Sequence, residues 1–320
     1  MNDLKKVIYL GPDFGYKAVV DEFGDLAGIF HIDPSYKALQ NALLDANAII
    51  DASMKVRITD TMIRDAAKLK IISCATTGSD HIDRLEIEDR NIRVRTLKED
   101  KELLLNLTSA AEHSWSLLMA CSRKLPAAFD HVKSGMWDRE NFPGIMLKGK
   151  KIGIIGCGRI GSWMGRYAHA FGMEIWGYDP YVNPLPENFI RSELKELVSN
   201  CDFITVHVHL TDETKRLVSR ECFEVIKPGC IFINTSRGAV IDQVALLEFL
   251  KNGHLLAAGL DVLEGEPDID NQPLVEYARE HDNLIITPHC GGFSPDAVAL
   301  VSIHAARKIF DELKVINGQS

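Results

Sequence analysis

The chain has 320 residues, 46% of them hydrophobic and 25% charged, with a formal net charge of −9. This composition can bury a sizeable core and excludes a fibrous or disordered chain, and the length suggests about two domains. The acidic balance argues against nucleic acid or an anionic membrane surface as the main partner, and no apolar run is long enough to span a bilayer.

From Met1 to Leu10 the chain runs into a short strand-like segment without a long apolar stretch or a small-residue cleavage site, so no secretory leader is expected. Short apolar runs at Lys6–Leu10, Ala48–Ile50, Leu69–Cys74 and Ile92–Val94 predict strands, alternating with helical stretches such as Tyr36–Asp45 and Thr61–Leu69. Ser109-Ala110-Ala111-Glu112 then predicts a capping box ahead of the apolar stripe Trp115, Leu118, Met119. Six further strands are expected at Lys151–Ile155, Glu174–Tyr178, Phe203–His207, Cys230–Asn234, Ala257–Asp261 and Asn283–Thr287. Ser294-Pro295-Asp296 reads as N-cap, first-turn proline and acidic first turn of a helix running to about Leu313, free to pack back on the first domain. Strand and helix alternate throughout, which implies an α/β protein built on two doubly wound parallel sheets. The seven cysteines (Cys74, Cys121, Cys157, Cys201, Cys222, Cys230, Cys290) include no Cys-x-x-Cys pair and read as reduced, packed thiols of a cytoplasmic protein.

Gly156-Cys157-Gly158-Arg159-Ile160-Gly161 follows the strand Lys151–Ile155 directly, and Asp179 closes the next one. In that context the glycines form a dinucleotide fingerprint. Gly156 permits the tight turn, Gly158 lets a pyrophosphate approach the backbone, and Gly161 lets helix pack on strand. Arg159 and Ile160 open the helix whose N-terminus would face the phosphates. Asp179 would accept the ribose hydroxyls and repel a 2′-phosphate, since no arginine stands beside it in Tyr178-Asp179-Pro180-Tyr181. The cofactor expected is NAD, in preference to NADP. His207 and His209 would share one face of a strand, but without a clustered third ligand no metal is expected.

Parallel strands gather their carboxyl ends at one edge, so the residues just past them collect beside the phosphate loop. Past successive strands come His207, then Thr235-Ser236-Arg237-Gly238, Asp261 with Glu264-Gly265-Glu266-Pro267, and His289-Cys290-Gly291-Gly292. An arginine, carboxylates and a histidine are what hydride transfer to a carbonyl requires. Arg237 would hold a substrate carboxylate bidentately and polarise the adjacent carbonyl oxygen. His289 would donate the proton or take it back, Glu266 or its neighbour Glu264 would orient the imidazole, and Asp261 would face the nicotinamide carboxamide. His207, Thr235, Gly291, Gly292 and His289 itself complete the expected cofactor contacts.

These residues resemble the D-isomer-specific 2-hydroxyacid dehydrogenases, the group that includes phosphoglycerate dehydrogenase and glyoxylate/hydroxypyruvate reductase. The resemblance covers nearly the whole chain and rests on the fingerprint, Lys227-Pro228-Gly229 leading into Asn234-Thr235-Ser236-Arg237-Gly238, Gly259-Leu260-Asp261-Val262 with Glu266-Pro267, and Thr287-Pro288-His289. It implies that Arg237, Glu266 and His289 are the catalytic residues, favouring Glu266 over Glu264. It further implies a Rossmann NAD-binding domain, 105–294, inserted into a flavodoxin-like substrate domain made of 1–104 and 295–320. Thr77 and Gly78 match the family's substrate-carboxylate loop, and Asn106 a position that often contacts substrate. The expected partners are a small 2-oxo or 2-hydroxy acid and a second copy of the chain, with Trp115 to Trp137 as interface segment.

The departures fall mostly on the substrate side. Thr76-Thr77 replaces small apolar residues, Leu97-Lys98-Glu99-Asp100 replaces a proline-containing stretch, and His209 stands where proline is common. Which hydroxy acid is the substrate is therefore left open. Glu266 stands where the formate dehydrogenases of the family carry glutamine, and with no segment after residue 320 feedback control of the longer phosphoglycerate dehydrogenase type is not expected. A competing expectation is an NAD-sensing, corepressor-like binding protein on the same fold.

Overall fold

The computed structural model describes residues 5–25, 27–53 and 55–316, the side chains of 314–316 excepted. Residues 1–4, which lead into the first expected strand, and 317–320, the end of the assigned substrate domain, lie outside the described residues. The chain divides into two compact units, Met1–Leu107 with Phe293–Ser320, and Thr108–Gly292.

The first unit holds five strands, β1 (Lys6–Leu10), β2 (Gly28–Ile32), β3 (Ala48–Asp51), β4 (Ile71–Cys74) and β5 (Arg93–Arg95). They are all parallel, in the order β2-β1-β3-β4-β5, which is the flavodoxin-like order. Near-continuous apolar runs such as Val7-Ile8-Tyr9-Leu10 suit a sheet covered on both faces. Val7, Tyr9, Ala48, Ile50 and Ile71 pack on one side against Val19 and Phe23 of the helix Asp13–Phe23 and against Ala305, Ile309 and Phe310 of Pro295–Ile316. Ile8, Leu10, Ile49, Ile72 and Cys74 pack on the other, against Leu39, Leu43, Met62 and Ile63. Phe23 stacks on Phe310 with ring centroids 4.9 Å apart, and the buried Tyr9 hydroxyl meets Ser302 Oγ at 3.1 Å, so the last helix belongs to this core. Strand β2 was absent from the sequence reading. It is an edge strand of half-buried and exposed residues around Phe30 and His31, and lacks the apolar run that marks its neighbours.

The second unit holds seven parallel strands rather than the six expected: β6 (Lys151–Ile155), β7 (Glu174–Tyr178), β8 (Phe189–Arg191), β9 (Phe203–Val206), β10 (Cys230–Asn234), β11 (Leu255–Leu260) and β12 (Leu284–Ile286). Their order is β12-β11-β10-β9-β6-β7-β8, the dinucleotide-fold order extended by one strand. The added strand is β12, and the one not expected from sequence is β8, three residues at the edge with Ile190 exposed, too short to show a period. Strand β9 ends at Val206 and β11 at Leu260, which leaves His207 and Asp261 just beyond the strands that were expected to contain them. The expected capping box does not form, because the N-cap of the helix Ser109–Arg123 makes no side-chain bond to its first-turn N–H groups. Thr108 is that N-cap, in place of the expected Ser109, and its hydroxyl donates to Glu112 Oε1 at 2.5 Å.

Candidate active site

Within the second unit the chain reverses its direction across the sheet between β6 and β9, and the loops leaving these strands meet there. Gly156 has φ +89, and a Cβ on it would lie 2.7 Å from the His207 carbonyl oxygen. Gly161 faces Gly156 so closely that a Cβ would fall 2.0 Å from the Gly156 carbonyl oxygen. Both positions exclude a side chain for reasons internal to the protein. Gly158 differs: it is exposed, and a Cβ there would meet nothing within 4 Å among the described residues. It is the N-cap of the helix Arg159–Ala170, whose first-turn N–H groups have no intrahelical acceptors.

Asp179 lies against this loop. Its Oδ2 accepts the Cys157 N–H at 2.9 Å, and its Oδ1 accepts those of Tyr181 and Val182 at 2.9 and 3.0 Å. These bonds fix both oxygens while leaving lone pairs for ribose hydroxyls. One premise of the sequence reading needs correcting: an arginine does stand beside Asp179, from the unrecognised strand β8. Arg191 donates from Nη1 to the Asp179 carbonyl oxygen at 2.9 Å and from Nη2 to that of Val182 at 2.6 Å. His207 is half-buried, with Nε2 2.7 Å from Thr205 Oγ1 and Nδ1 buried without a partner among the described residues. Burial, and then the nearby Arg159 charge, push its pKa down to about 3, so the imidazole is neutral. Burial likewise lowers the Arg159 pKa from its ordinary value. The residues present thus fit a dinucleotide: an open glycine, a helix N-terminus and an oriented carboxylate.

The carboxyl ends of β10, β11 and β12 carry the other group. Asn234, wholly buried, folds the turn after β10 by accepting Ser236 N–H and donating Nδ2–H to the Arg237 carbonyl oxygen, each at 3.0 Å. Arg237 follows, half-buried, with Nη1 2.8 Å from the Ser236 carbonyl oxygen. Gly238 lets this turn press on the next loop, since a Cβ there would sit 2.1 Å from Glu264 N. Leu263 N–H donates to Glu266 Oε2 at 3.2 Å, and Glu266 Oε1 lies 2.7 Å from Nδ1 of His289. Glu264 is held differently, its carbonyl oxygen accepting the Gln272 amide at 3.0 Å. A carboxylate only accepts, so Nδ1 carries the proton and Nε2 is the nitrogen that can exchange one.

Asp261, 2% exposed, ties these strand ends together. Its N–H donates to the Asn234 carbonyl oxygen at 3.0 Å, and its own carbonyl oxygen accepts the His289 N–H at 2.9 Å. Oδ1 accepts from the Thr287 hydroxyl at 2.5 Å and the Cys290 N–H at 2.9 Å, and lies 3.2 Å from His113 Nε2, while Oδ2 accepts the Gly291 N–H at 2.8 Å. Burial alone would raise the carboxyl pKa, but hydrogen bonds from His113, Thr287, Gly291 and Cys290 outweigh it and leave the pKa lowered. Oδ1 is crowded by three donors and Oδ2 has one, so a further donor has room at Oδ2. Gly291 packs on that oxygen, with a Cβ 2.9 Å away, and Gly292 is open.

Sequence reasoning missed His113 and Ser114. His113 Nε2 is 2.9 Å from Thr287 Oγ1, and the buried Ser114 hydroxyl is 2.6 Å from Thr235 Oγ1, so one helix anchors two of the strand ends. The available signal was a pair of polar residues one turn ahead of Leu117 and Leu118 on the buried face. His207 and His209 join no third metal ligand among the described residues; the groupings found are His113 with Asp261 and Cys290, and Asp51 with Cys74 and His81.

Thr77, Gly78 and Asn106 belong to the first unit. Thr77 and Gly78 lie in the loop after β4, where Thr76 Oγ1 donates to the Gly78 carbonyl oxygen at 2.8 Å. Among the described residues, the N–H groups of Thr77, Gly78 and Ser79 have no acceptor. Asn106 is exposed at the end of the helix Lys101–Leu105, its Nδ2 3.2 Å from the Glu102 carbonyl oxygen.

Residues 115–291 match the D-isomer specific 2-hydroxyacid dehydrogenase NAD binding domain, and residues 17–134 the catalytic domain of that family. The chain is similar to D-3-phosphoglycerate dehydrogenase of Methanocaldococcus jannaschii, 38% identical over 288 residues that cover 88% of this chain and 52% of that protein. The chain spans about half the length of the curated phosphoglycerate dehydrogenases it matches. It is also similar to hydroxypyruvate reductase of Thermotoga maritima, 36% identical over 81% of this chain and 82% of the relative. Among solved structures, the TT0316 protein from Thermus thermophilus matches over 98% of each chain with a TM-score of 0.83 and 30% identity. The family's NAD-binding domain makes NAD the cofactor of the second unit. By the matches of both of its domains, the chain belongs to the D-isomer-specific 2-hydroxyacid dehydrogenases.

Proposed function

We propose that the chain catalyses NAD-dependent interconversion of a small D-2-hydroxy acid and its 2-oxo acid. The observation that carries this reading is the 2.7 Å pairing of Glu266 with His289 Nδ1 beside the Arg237 turn, all at the carboxyl ends of adjacent strands. The chemistry NAD supplies when bound is the reversible uptake and release of a hydride. The chain's own residues do the rest. Arg237 binds the substrate carboxylate through its planar guanidinium and draws charge toward the neighbouring carbonyl oxygen. In the reducing direction His289 gives the Nε2 proton to that oxygen, and in the oxidising direction it takes the hydroxyl proton back. Glu266 holds Nδ1–H through both, fixing the tautomer and offsetting the positive charge on the ring. Asp261 presents Oδ2 to the nicotinamide carboxamide, and Asp179 accepts the adenosine ribose hydroxyls. Thr77, Gly78 and Asn106 of the first unit are assigned to substrate.

A homodimer belongs to the same reading. The helix Leu125–Lys133 has no buried residue, and Phe129 is 66% and Trp137 85% exposed, an apolar surface of the kind that marks an interface. Light scattering on the full chain reads this directly.

The test is NADH oxidation by purified protein with glyoxylate, hydroxypyruvate, pyruvate and 3-phosphohydroxypyruvate, run beside Arg237→Ala. We expect turnover of at least one acid, and a loss of roughly 10²–10³-fold in kcat/KM for Arg237→Ala with NADH affinity kept, as for a lost charge-assisted bidentate contact. Equal turnover by Arg237→Ala would refute the assignment. Tight NADH binding without turnover of any acid would favour the sensor.

A further inference from the structure

The segment from Ala75 to His81 leaves β4 at the carboxyl edge of the first sheet, and one residue holds it at both ends. Asp51, the last residue of β3, accepts the Ala75 N–H on its main-chain oxygen at 2.8 Å, and its Oδ2 pairs with His81 Nε2 at 2.5 Å. Asp51 is wholly buried and the His81 side chain is 11% exposed. At the far end of the loop the His81 carbonyl oxygen accepts the Ile58 N–H at 3.0 Å, and Ile82 N–H closes a turn onto the Ser79 carbonyl oxygen at 3.2 Å. The arc between carries the Thr77, Gly78 and Ser79 N–H groups, which have no acceptor among the described residues.

A carboxylate buried at a strand end is unfavourable unless bonded, and Ile49 and Ile50 just before it show what this strand otherwise buries. Ser53 N–H donates to Oδ1 at 3.0 Å, and His81 meets the other oxygen, Oδ2. Among the described residues the imidazole has no second hydrogen bond, its Nδ1 being buried without a partner, so its orientation depends on Asp51. Cys74 brings its Sγ within 4.8 Å of both groups, and the 2.5 Å Asp51–His81 bond already joins the other two directly, as a hydrogen-bonded clamp.

We propose that Asp51 and His81 are positioning residues that fix the 76–80 arc, keeping the Thr77, Gly78 and Ser79 N–H groups as a preformed cradle for the carboxylate of a 2-oxo acid. This rests on the substrate assignment of the loop made under Proposed function. Two variants of the full chain test it, with two readouts. In His81→Ala, amide exchange at Ile58 and Ile82 should quicken about tenfold while Ile49 and Ile50 stay unchanged, because only the loop opens. KM for whichever 2-oxo acid the wild type reduces should rise about tenfold, with kcat changed less than about threefold, because the lost contact serves bound substrate and transition state alike. NADH affinity should stay the same. His81→Gln, whose amide N–H can reach the Nε2 position, should restore both readouts. His81→Asn, too short to reach Asp51, should behave as the alanine variant and replaces it if that variant does not fold.

Unchanged exchange at Ile58 and Ile82 overturns the clamp, and so does faster exchange with KM unmoved. Failure of the glutamine variant to restore KM overturns it as well. If Arg237→Ala leaves turnover intact or no acid is reduced, the functional reading fails separately, and the exchange result alone decides the clamp.

Discussion

Gly158→Ala separates a glycine needed by the ligand from one needed by the fold. Gly158 is exposed, and an added Cβ would meet no atom within 4 Å among the described residues. Its stability effect should stay within about 0.5 kcal/mol, a shift of no more than about 2 °C in Tm for a domain of this size. The open space in front of it is where we infer that the cofactor pyrophosphate approaches the helix N-terminus. A methyl group there should cost one phosphate contact, about 1.5–3 kcal/mol for a hydrogen bond to a charged group, or roughly 10- to 100-fold in the Kd for NADH. Gly161→Ala is the contrast. Its Cβ would fall 2.0 Å from a main-chain oxygen, so strand and helix must separate, at about 1–3 kcal/mol and several degrees of Tm. Thermal melts and NADH fluorescence titration on both variants read the two effects. Wild-type NADH affinity in Gly158→Ala would refute the inferred approach path, and a melt as low as that of Gly161→Ala would refute the claim that the space is empty.

His113→Ala should remove one of the donors around the buried Asp261, lowering stability by about 1–2 kcal/mol and raising KM for NADH, since the carboxylate keeps the Thr287, Cys290 and Gly291 donors but loses lateral support; urea melts and steady-state kinetics check it, and an unmoved KM would remove His113 from the cofactor site. His207 sets a pH dependence of known sign. Its folded-state pKa is depressed to about 3 from an ordinary 6.5, so between those values the unfolded chain binds a proton that the folded chain excludes. Stability should therefore fall as pH drops below 6.5, by at most about 1.4 kcal/mol per pH unit from this group. His207→Gln should flatten that slope in urea melts between pH 5 and 8, and an identical slope in the variant would show that the imidazole is not held neutral.

The parts legible in the sequence were those whose physical constraint is local. Buried central strands carry apolar runs, so β1, β3, β4, β6, β9, β10 and β11 announced themselves, and the two parallel sheets followed from their alternation with helices. Of the four edge strands, β5 and β12 were expected from their apolar runs, whereas β2 and β8 show residues such as Phe30 and Ile190 to solvent and carry no comparable signal. Missing β8 had a consequence for the site, because it hid Arg191, which arrives beside Asp179 only through the pairing of Gly177 with Arg191. His113 was hidden for the same kind of reason. The rule that ligands collect at the carboxyl ends of strands points to residues that follow strands, whereas His113 and Ser114 reach those ends from a helix preceding the whole sheet.

That difference bears on what holds the site together. The ends of β10, β11 and β12 are linked by a ladder of main-chain bonds running from Asn234, the last residue of β10, to Asp261, one residue past β11, to His289, three past β12. Asp261 and His289 are thus set by main-chain bonds from the sheet, and Arg237 by the Asn234 side chain at its edge. The helix Ser109–Arg123 then braces the ladder from one side through Thr235, Asp261 and Thr287. Losing a brace should weaken binding by degrees, whereas breaking the ladder moves several of the proposed catalytic groups at once. Substitutions at Asn234 should therefore cost more activity than those at His113, although Asn234 is assigned no contact with substrate or cofactor.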